Sequence, residues 1–232
     1  MSTTVRSRGT RRIAAGIGLI GFPALLVIQG LVDPTDDTTF FAAAVSHPDT
    51  LLYSALLLLA SAVLTIPAIG GILHMARDRG ALLADLGAVF ALLGALGHTA
   101  LSVIYLLMRS LDGGQPAEMI GFEDRLNADP SLSAVGLVLL LSFGLGLTLL
   151  SWASWRAGLI GWWGPAVITG VALVHIFYPG DVPMIAQIAA LCAIAVVFGW
   201  LGIRVLALSN EEWNPTMTLT VSNKRPTSPS VA

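Results

Sequence analysis

Apolar residues fall into six runs, at about 13–32, 50–75, 81–108, 131–152, 159–178 and 184–208, with short polar stretches between them. Each run predicts a membrane-crossing helix, because about 20 apolar residues rising 1.5 Å apiece cover a hydrocarbon core of about 30 Å. The third, ALLADLGAVFALLGALGHTALSVIYLLM, would extend about 42 Å as a helix. Along it Gly87, Ala91, Gly94 and Ala95 recur at helical spacing and continue into His98, Ser102 and Tyr105, so one face is first small and then polar. Small residues at that spacing let a second helix approach closely, which turns His98 toward a bundle interior rather than toward lipid. The expected fold is all-α, an integral membrane bundle of six transmembrane helices.

The connections are short. Residues 1–12, MSTTVRSRGTRR, form a polar, basic segment before the first run, and no small-x-small cleavage site follows that run, which predicts a retained span. Within 33–49, Thr38 or Thr39 can cap a short helix ending near Val45. Residues 116–126 predict a second surface helix, and Arg77-Asp78-Arg79-Gly80 a tight turn. Pro67 predicts a kink in the second span. The domain plan is a cytoplasmic segment 1–12, a transmembrane domain 13–208, and a disordered cytoplasmic tail 209–232 rich in Ser, Thr, Asn and Pro. AGIGLIGFPALL (15–26) matches AGLIGWWGPAVI (157–168) loosely, but small apolar alphabets give such matches by chance, so no transporter assignment follows.

Composition agrees with the spans. Of 232 residues, 55% are hydrophobic and 11% charged, and the mean hydropathy is +0.81. A soluble domain carries about 25% charged residues, so this chain calls for lipid as solvent. A net charge of −2 gives nucleic acid no electrostatic footing. The lone Cys192 excludes an intramolecular disulfide and is expected to be buried and inert.

Charge sets the expected orientation. Arg6, Arg8, Arg11, Arg12, Arg77, Arg79, Arg156, Arg204, Lys224 and Arg225 fall on one side of a six-span threading, with Arg109 and Arg125 on the other. The basic side is cytoplasmic by the positive-inside rule, which puts both termini inside and the protein in the cell (plasma) membrane. Trp152, Trp155, Trp162 and Trp163 would belt the inner interface, with Tyr53, Tyr105 and Tyr178 at the outer one.

Polar residues within spans are the default functional candidates. Counted from the cytoplasmic ends, His98 and His175 both lie about 25 Å up. Gln29 and Ser61 fall at similar height and Tyr105 and Gln187 slightly further out, so Gln29, Ser61, His98, Tyr105, His175 and Gln187 are the expected lining of an outer-leaflet pocket. His98 and His175 could bind a b-type haem as axial ligands, with Ala91, Gly94 and Ala95 giving clearance. Zinc would need a third ligand, and no HxxxH or HxxE spacing supplies one. Proton-coupled transport through His98 is a further alternative, and the simplest is that both histidines hydrogen-bond across helices. Near the basic end, His74 and Asp85 are symmetric about the 77–80 turn and are expected to form an ion pair.

No GxSxG, no CxxC and no intramembrane acidic pair is present, and Gly16-x-Gly18-x-x-Gly21 lies inside an apolar run with no strand before it. The arginine-led first span, His47-Pro48-Asp49 and the RDRG turn together resemble small polytopic membrane proteins of high-GC Gram-positive (actinobacterial) bacteria, over residues 11–108. That group supplies no catalytic residues to transfer. The expected function is a non-enzymatic binding, accessory or small-solute permeation component. Its partners would be the bilayer and a small-molecule ligand or another membrane protein. A haem or metal-dependent membrane enzyme using His98 and His175 is the alternative.

Overall fold

The structure, a computed structural model, describes residues 3–35, 39–110, 116–177 and 183–213. The regular elements among them are helices: α1 (Thr3–Val32), α2 (Phe40–Ser46), α3 (Pro48–Ala76), α4 (Ala81–Ser110), α5 (Pro116–Ala128), α6 (Pro130–Arg156), α7 (Trp163–Phe177), α8 (Met184–Ala207) and α9 (Asn210–Trp213). Five of these, α1, α3, α4, α6 and α8, are long and apolar enough to cross a membrane.

The fifth predicted span differs. Gly158 takes φ +76°, a left-handed conformation that suits glycine, and residues 157–162 turn rather than continue a helix. Helix α7 therefore starts at Trp163 and has 15 residues, about 22 Å of rise. Residues 178–182, with Tyr178 and Asp181, lie outside the described residues. The resemblance between 15–26 and 157–168 does not extend to conformation, since the first stretch is wholly helical and the second opens with this turn.

The short outer elements follow their signals. Thr39 caps α2, its hydroxyl accepting from the Ala42 amide at 3.2 Å. Asp129 caps α6 by accepting from the Ser131 and Leu132 amides, and those two bonds hold its carboxyl below the usual carboxylate range. Pro67 leaves α3 as one unbroken helix.

The long helices pack in the order α8, α1, α3, α4, α6, and α7 touches both α6 and α8. The small face of α4 meets α6, where Gly87, Ala91 and Gly94 are buried, while Ala95 is buried on the side of α4 that faces α3. At the closest approach a Cβ on Gly146 would come within 2.6 Å of the Ala91 Cα, so only glycine lets α6 settle on α4. Helices α1 and α3 run antiparallel in a register marked by two bonds. Ser61 donates to the Phe22 carbonyl at 2.9 Å and Gln29 donates to the Ser54 hydroxyl at 3.0 Å, seven residues further along α1 and seven earlier in α3. Phe22 meets Phe198 of α8 edge-on, with centroids 5.4 Å apart.

Two sequence expectations change at α8 and beyond. Cys192 is exposed on α8 rather than buried, because α7 covers little of that helix. The tail is ordered past Ser209: its backbone amide donates to Glu212 at 2.7 Å, and the Glu212 amide donates back to the Ser209 hydroxyl at 3.1 Å. This capping box starts α9, and Trp213, 5% exposed, anchors it in the core. Residues 214–232 lie outside the described residues.

Candidate functional site

The polar groups that converge are at the end of the bundle where α1 stops. Asp33, one residue past α1, is surrounded by donors. Its Oδ1 accepts from the Thr35 amide at 3.0 Å and the Thr35 hydroxyl at 2.7 Å. Its Oδ2 accepts from the Tyr105 hydroxyl at 2.7 Å and from the Gln29 amide group. A carboxylate has about four acceptor positions, so four donors saturate it. The Gln29 bond to Ser54 carries the network into α3, so α1, α3 and α4 are tied at one level.

A roof of two short helices covers this end. Phe40, the first residue of α2, packs its ring 5.5 Å from that of Tyr105. Glu123 of α5, 5% exposed, accepts from the Phe40 and Phe41 amides at 2.9 and 3.1 Å. Those amides are unsatisfied donors at the first turn of α2, and a carboxylate suits both their geometry and their partial positive charge. Arg109 donates to the Pro48 carbonyl at 3.1 Å and sits 3.5 Å from Asp49, joining the end of α4 to the start of α3.

The predicted pocket residues separate into those the site gathers and those it does not. Gln29 and Tyr105 meet at Asp33. Tyr105 is buried at 3% exposure and so is no interfacial belt residue, whereas Tyr53 is exposed. Ser61 is buried two helical turns away and its hydroxyl is taken by Phe22. His98 turns toward α6, its ring 4.4 Å from that of Phe143, and its Nδ1 has no hydrogen-bond partner. The space beside Gly94 is occupied by Phe143 and that beside Ala91 by Gly146. His175 belongs to α7, and its side chain lies outside the described residues. Gln187 is on an exposed flank of α8.

The expected His74–Asp85 ion pair does not form. His74 instead faces Trp213: Nε2 lies 2.6 Å from the Trp213 carbonyl oxygen, and the two rings stack with centroids 4.3 Å apart. Asp85 is on the exposed side of α4, along with Leu82, Leu86 and Val89, so the two residues share a height without sharing a face. Among the described residues, no group of three or more His, Cys, Asp or Glu is placed to hold a metal ion.

Asp33, Ser54, Thr35, Glu123 and Trp213 are the residues that sequence reasoning missed. The spacing of Gln29 and Asp33, four apart at a helix end, was an available signal for the first. Glu123 and Trp213 act on partners 83 and 139 residues away, and no local spacing marks them.

The arrangement defines an all-helical bundle with a saturated carboxylate network at one end and arginines at the other. No protein-family model matches the chain, and no curated protein or solved structure matches it significantly.

Proposed function

We propose that the chain is a multi-pass protein of the plasma membrane with six spans. Its arginine-bearing helix ends and both termini would face the cytoplasm, and it would act as a non-enzymatic binding, accessory or small-solute permeation component. One observation carries this reading. Among the described residues, the buried side-chain nitrogens and oxygens lacking a partner are only Arg12 Nε and His98 Nδ1. Ser61, Thr65, Thr99, Ser102 and Ser154 all donate to main-chain carbonyls, and Asp33 is saturated. Of these hydroxyls Ser61 reaches a neighbouring helix, while Thr65, Thr99, Ser102 and Ser154 bond back to carbonyls four residues earlier in their own helices, so these side chains are spent on packing and on their own backbone. The surface left for a solute or partner at that end is the α2–α5 roof rather than the saturated Asp33 carboxylate beneath it.

Membrane-impermeant maleimide tests the threading in a Cys192→Ser background. Ser46→Cys in intact cells should react, and Arg79→Cys only after permeabilisation. The opposite result reverses the orientation, and equal reactivity at both sites removes the antiparallel threading of α3.

The unpartnered Nδ1 of His98 is the observation behind a second reading, in which this imidazole is a haem ligand, although Phe143 and Gly146 fill the clearance beside Gly94 and Ala91. The visible spectrum of the protein purified from haem-replete cells, before and after dithionite, discriminates. An intense Soret band lost in His98→Ala supports haem; a flat spectrum rules it out.

A further inference from the structure

Beside Trp163, at the start of α7, a groove of about 450 Å³ opens along α8 on the flank of the bundle. Trp163 forms one wall; Val196, Trp200 and Ile203 form the other, over a floor of Ala195 and Gly199. The lining is apolar, and Trp163 and Trp200 are 37% and 51% exposed. A Cβ on Gly199 would meet nothing within 4 Å, so the floor is open space rather than a packed seam. Val196, Trp200 and Arg204 follow one another at intervals of four along one stripe of α8, so the exposed arginine lies one turn beyond Trp200, next to the lining residues rather than among them. Arg204 Nη1 donates to the Leu159 carbonyl at 2.5 Å, which fixes the guanidinium beside the turn that leads into α7. The remaining N–H groups of an arginine held by one bond are free to meet a phosphate, for which its fork is suited.

We propose that this groove is a binding site for an anionic phospholipid, one acyl chain lying between Trp163 and Trp200 and the phosphate meeting Arg204. Apolar length, aromatic walls at interfacial depth and a cation one turn beyond them match that ligand in order along one axis. A zwitterionic lipid would satisfy the groove but gain less at the arginine. A second copy of the chain would have to bring an anion to Arg204. The site rests on the membrane reading above, but not on which end faces the cytoplasm.

The test is quenching of tryptophan fluorescence in the full chain, reconstituted into vesicles containing phosphatidylglycerol or phosphatidylcholine with brominated acyl chains. The groove signal is the difference between the parent and Trp200→Phe. Brominated phosphatidylglycerol in an equimolar mixture should be preferred about fivefold, the effect expected of one arginine at an anionic headgroup. Arg204→Gln should bring the two lipids to parity, Arg204→Lys should recover part of the preference, and Arg79→Gln, a change of the same charge at another turn, should leave it intact. Gly199→Leu adds a side chain where a Cβ meets no neighbour and should lower quenching by both lipids. Equal quenching in the parent, or a preference unmoved by Arg204→Gln, overturns headgroup recognition. Absent quenching with a Trp200–Trp200 contact between copies overturns lipid occupancy. Release of the protein from membranes by alkaline carbonate would instead sink the membrane reading itself.

Discussion

Asp33 and Tyr105 carry the most specific polar contact in the molecule, and its strength can be measured. Tyr105→Phe removes one donor from a saturated carboxylate while keeping the ring that packs on Phe40. A hydrogen bond to a charged group contributes about 1.5–3 kcal/mol, so partial exposure of Asp33 suggests a loss of about 1–2 kcal/mol. Denaturant unfolding in detergent should register it; an unchanged midpoint would mean that water replaces the hydroxyl freely. Asp129 offers a pH test outside the spans. Its carboxyl is held below the ordinary range by the Leu132 and Ser131 amides, so the cap is strongest when ionised. Its contribution is present above the unfolded pKa and is lost as pH falls through the lower folded value. Hydrogen exchange at Ser131 and Leu132 should therefore accelerate, beyond the intrinsic pH effect, on acidification below the carboxylate range. Asp129→Asn should abolish that extra step while keeping a cap. Tyr105 was legible because it continues the small face of α4 by one more turn. Asp33, just past an apolar run, carries no local sign of a partner, and only the packing of α1 and α4 on either side of α3 brings the Tyr105 hydroxyl to it.

Helix-scale predictions concern close approach and docking. Gly146 has the Ala91 backbone against it, whereas Gly199 faces open groove. Gly146→Leu should lower thermal stability sharply, by about 1–3 kcal/mol or more, while Gly199→Leu should leave it nearly unchanged. Equal shifts from the two substitutions would contradict the α4–α6 contact. Glu123→Gln should loosen α5 from α2, since one amide oxygen replaces a charged acceptor pair at 2.9 and 3.1 Å. Limited proteolysis near Arg125 should then speed up without a change in the core. If cleavage rates match the parent, α5 is held by its apolar face alone. The long helices α3, α4 and α8 were legible to within two residues from hydropathy, because an apolar run and its polar ends coincide with a helix and its caps, while α6 runs four residues past its expected end, to Arg156. Helix α7 was not: its predicted first turn is apolar enough, but Gly158 takes the chain out of helical geometry. The same local effect works in reverse at α9, where a capping box and one tryptophan order a stretch whose composition predicts disorder.

At the scale of the molecule, the two ends of the bundle are chemically different. The 77–80 turn packs on Ala153 and Arg156, and Trp213 reaches His74, so helix ends bearing arginines gather together. The opposite end holds Asp33, Asp49 and Glu123 and is roofed by α2 and α5. Trp213→Ala should release the C-terminal segment from the first of these ends, seen as faster cleavage after residue 208 with the remaining bundle intact. Retained protection would mean that Asn210 and the capping box hold it without the ring.

Hydropathy, small-residue spacing and cap signals are local, and they were enough for an all-α chain with long apolar helices, the capped α2, and a close-packed face on α4. A helix's period says which residues share a face but not which neighbour that face meets. The partners were decided only in three dimensions: Gln29 with Ser54 rather than Ser61, His74 with Trp213 rather than Asp85, and His98 with Phe143. Each follows from how far antiparallel helices slide along one another and how each is rotated about its axis. Packing of small against large side chains fixes both, and that depends on residues far apart in the chain.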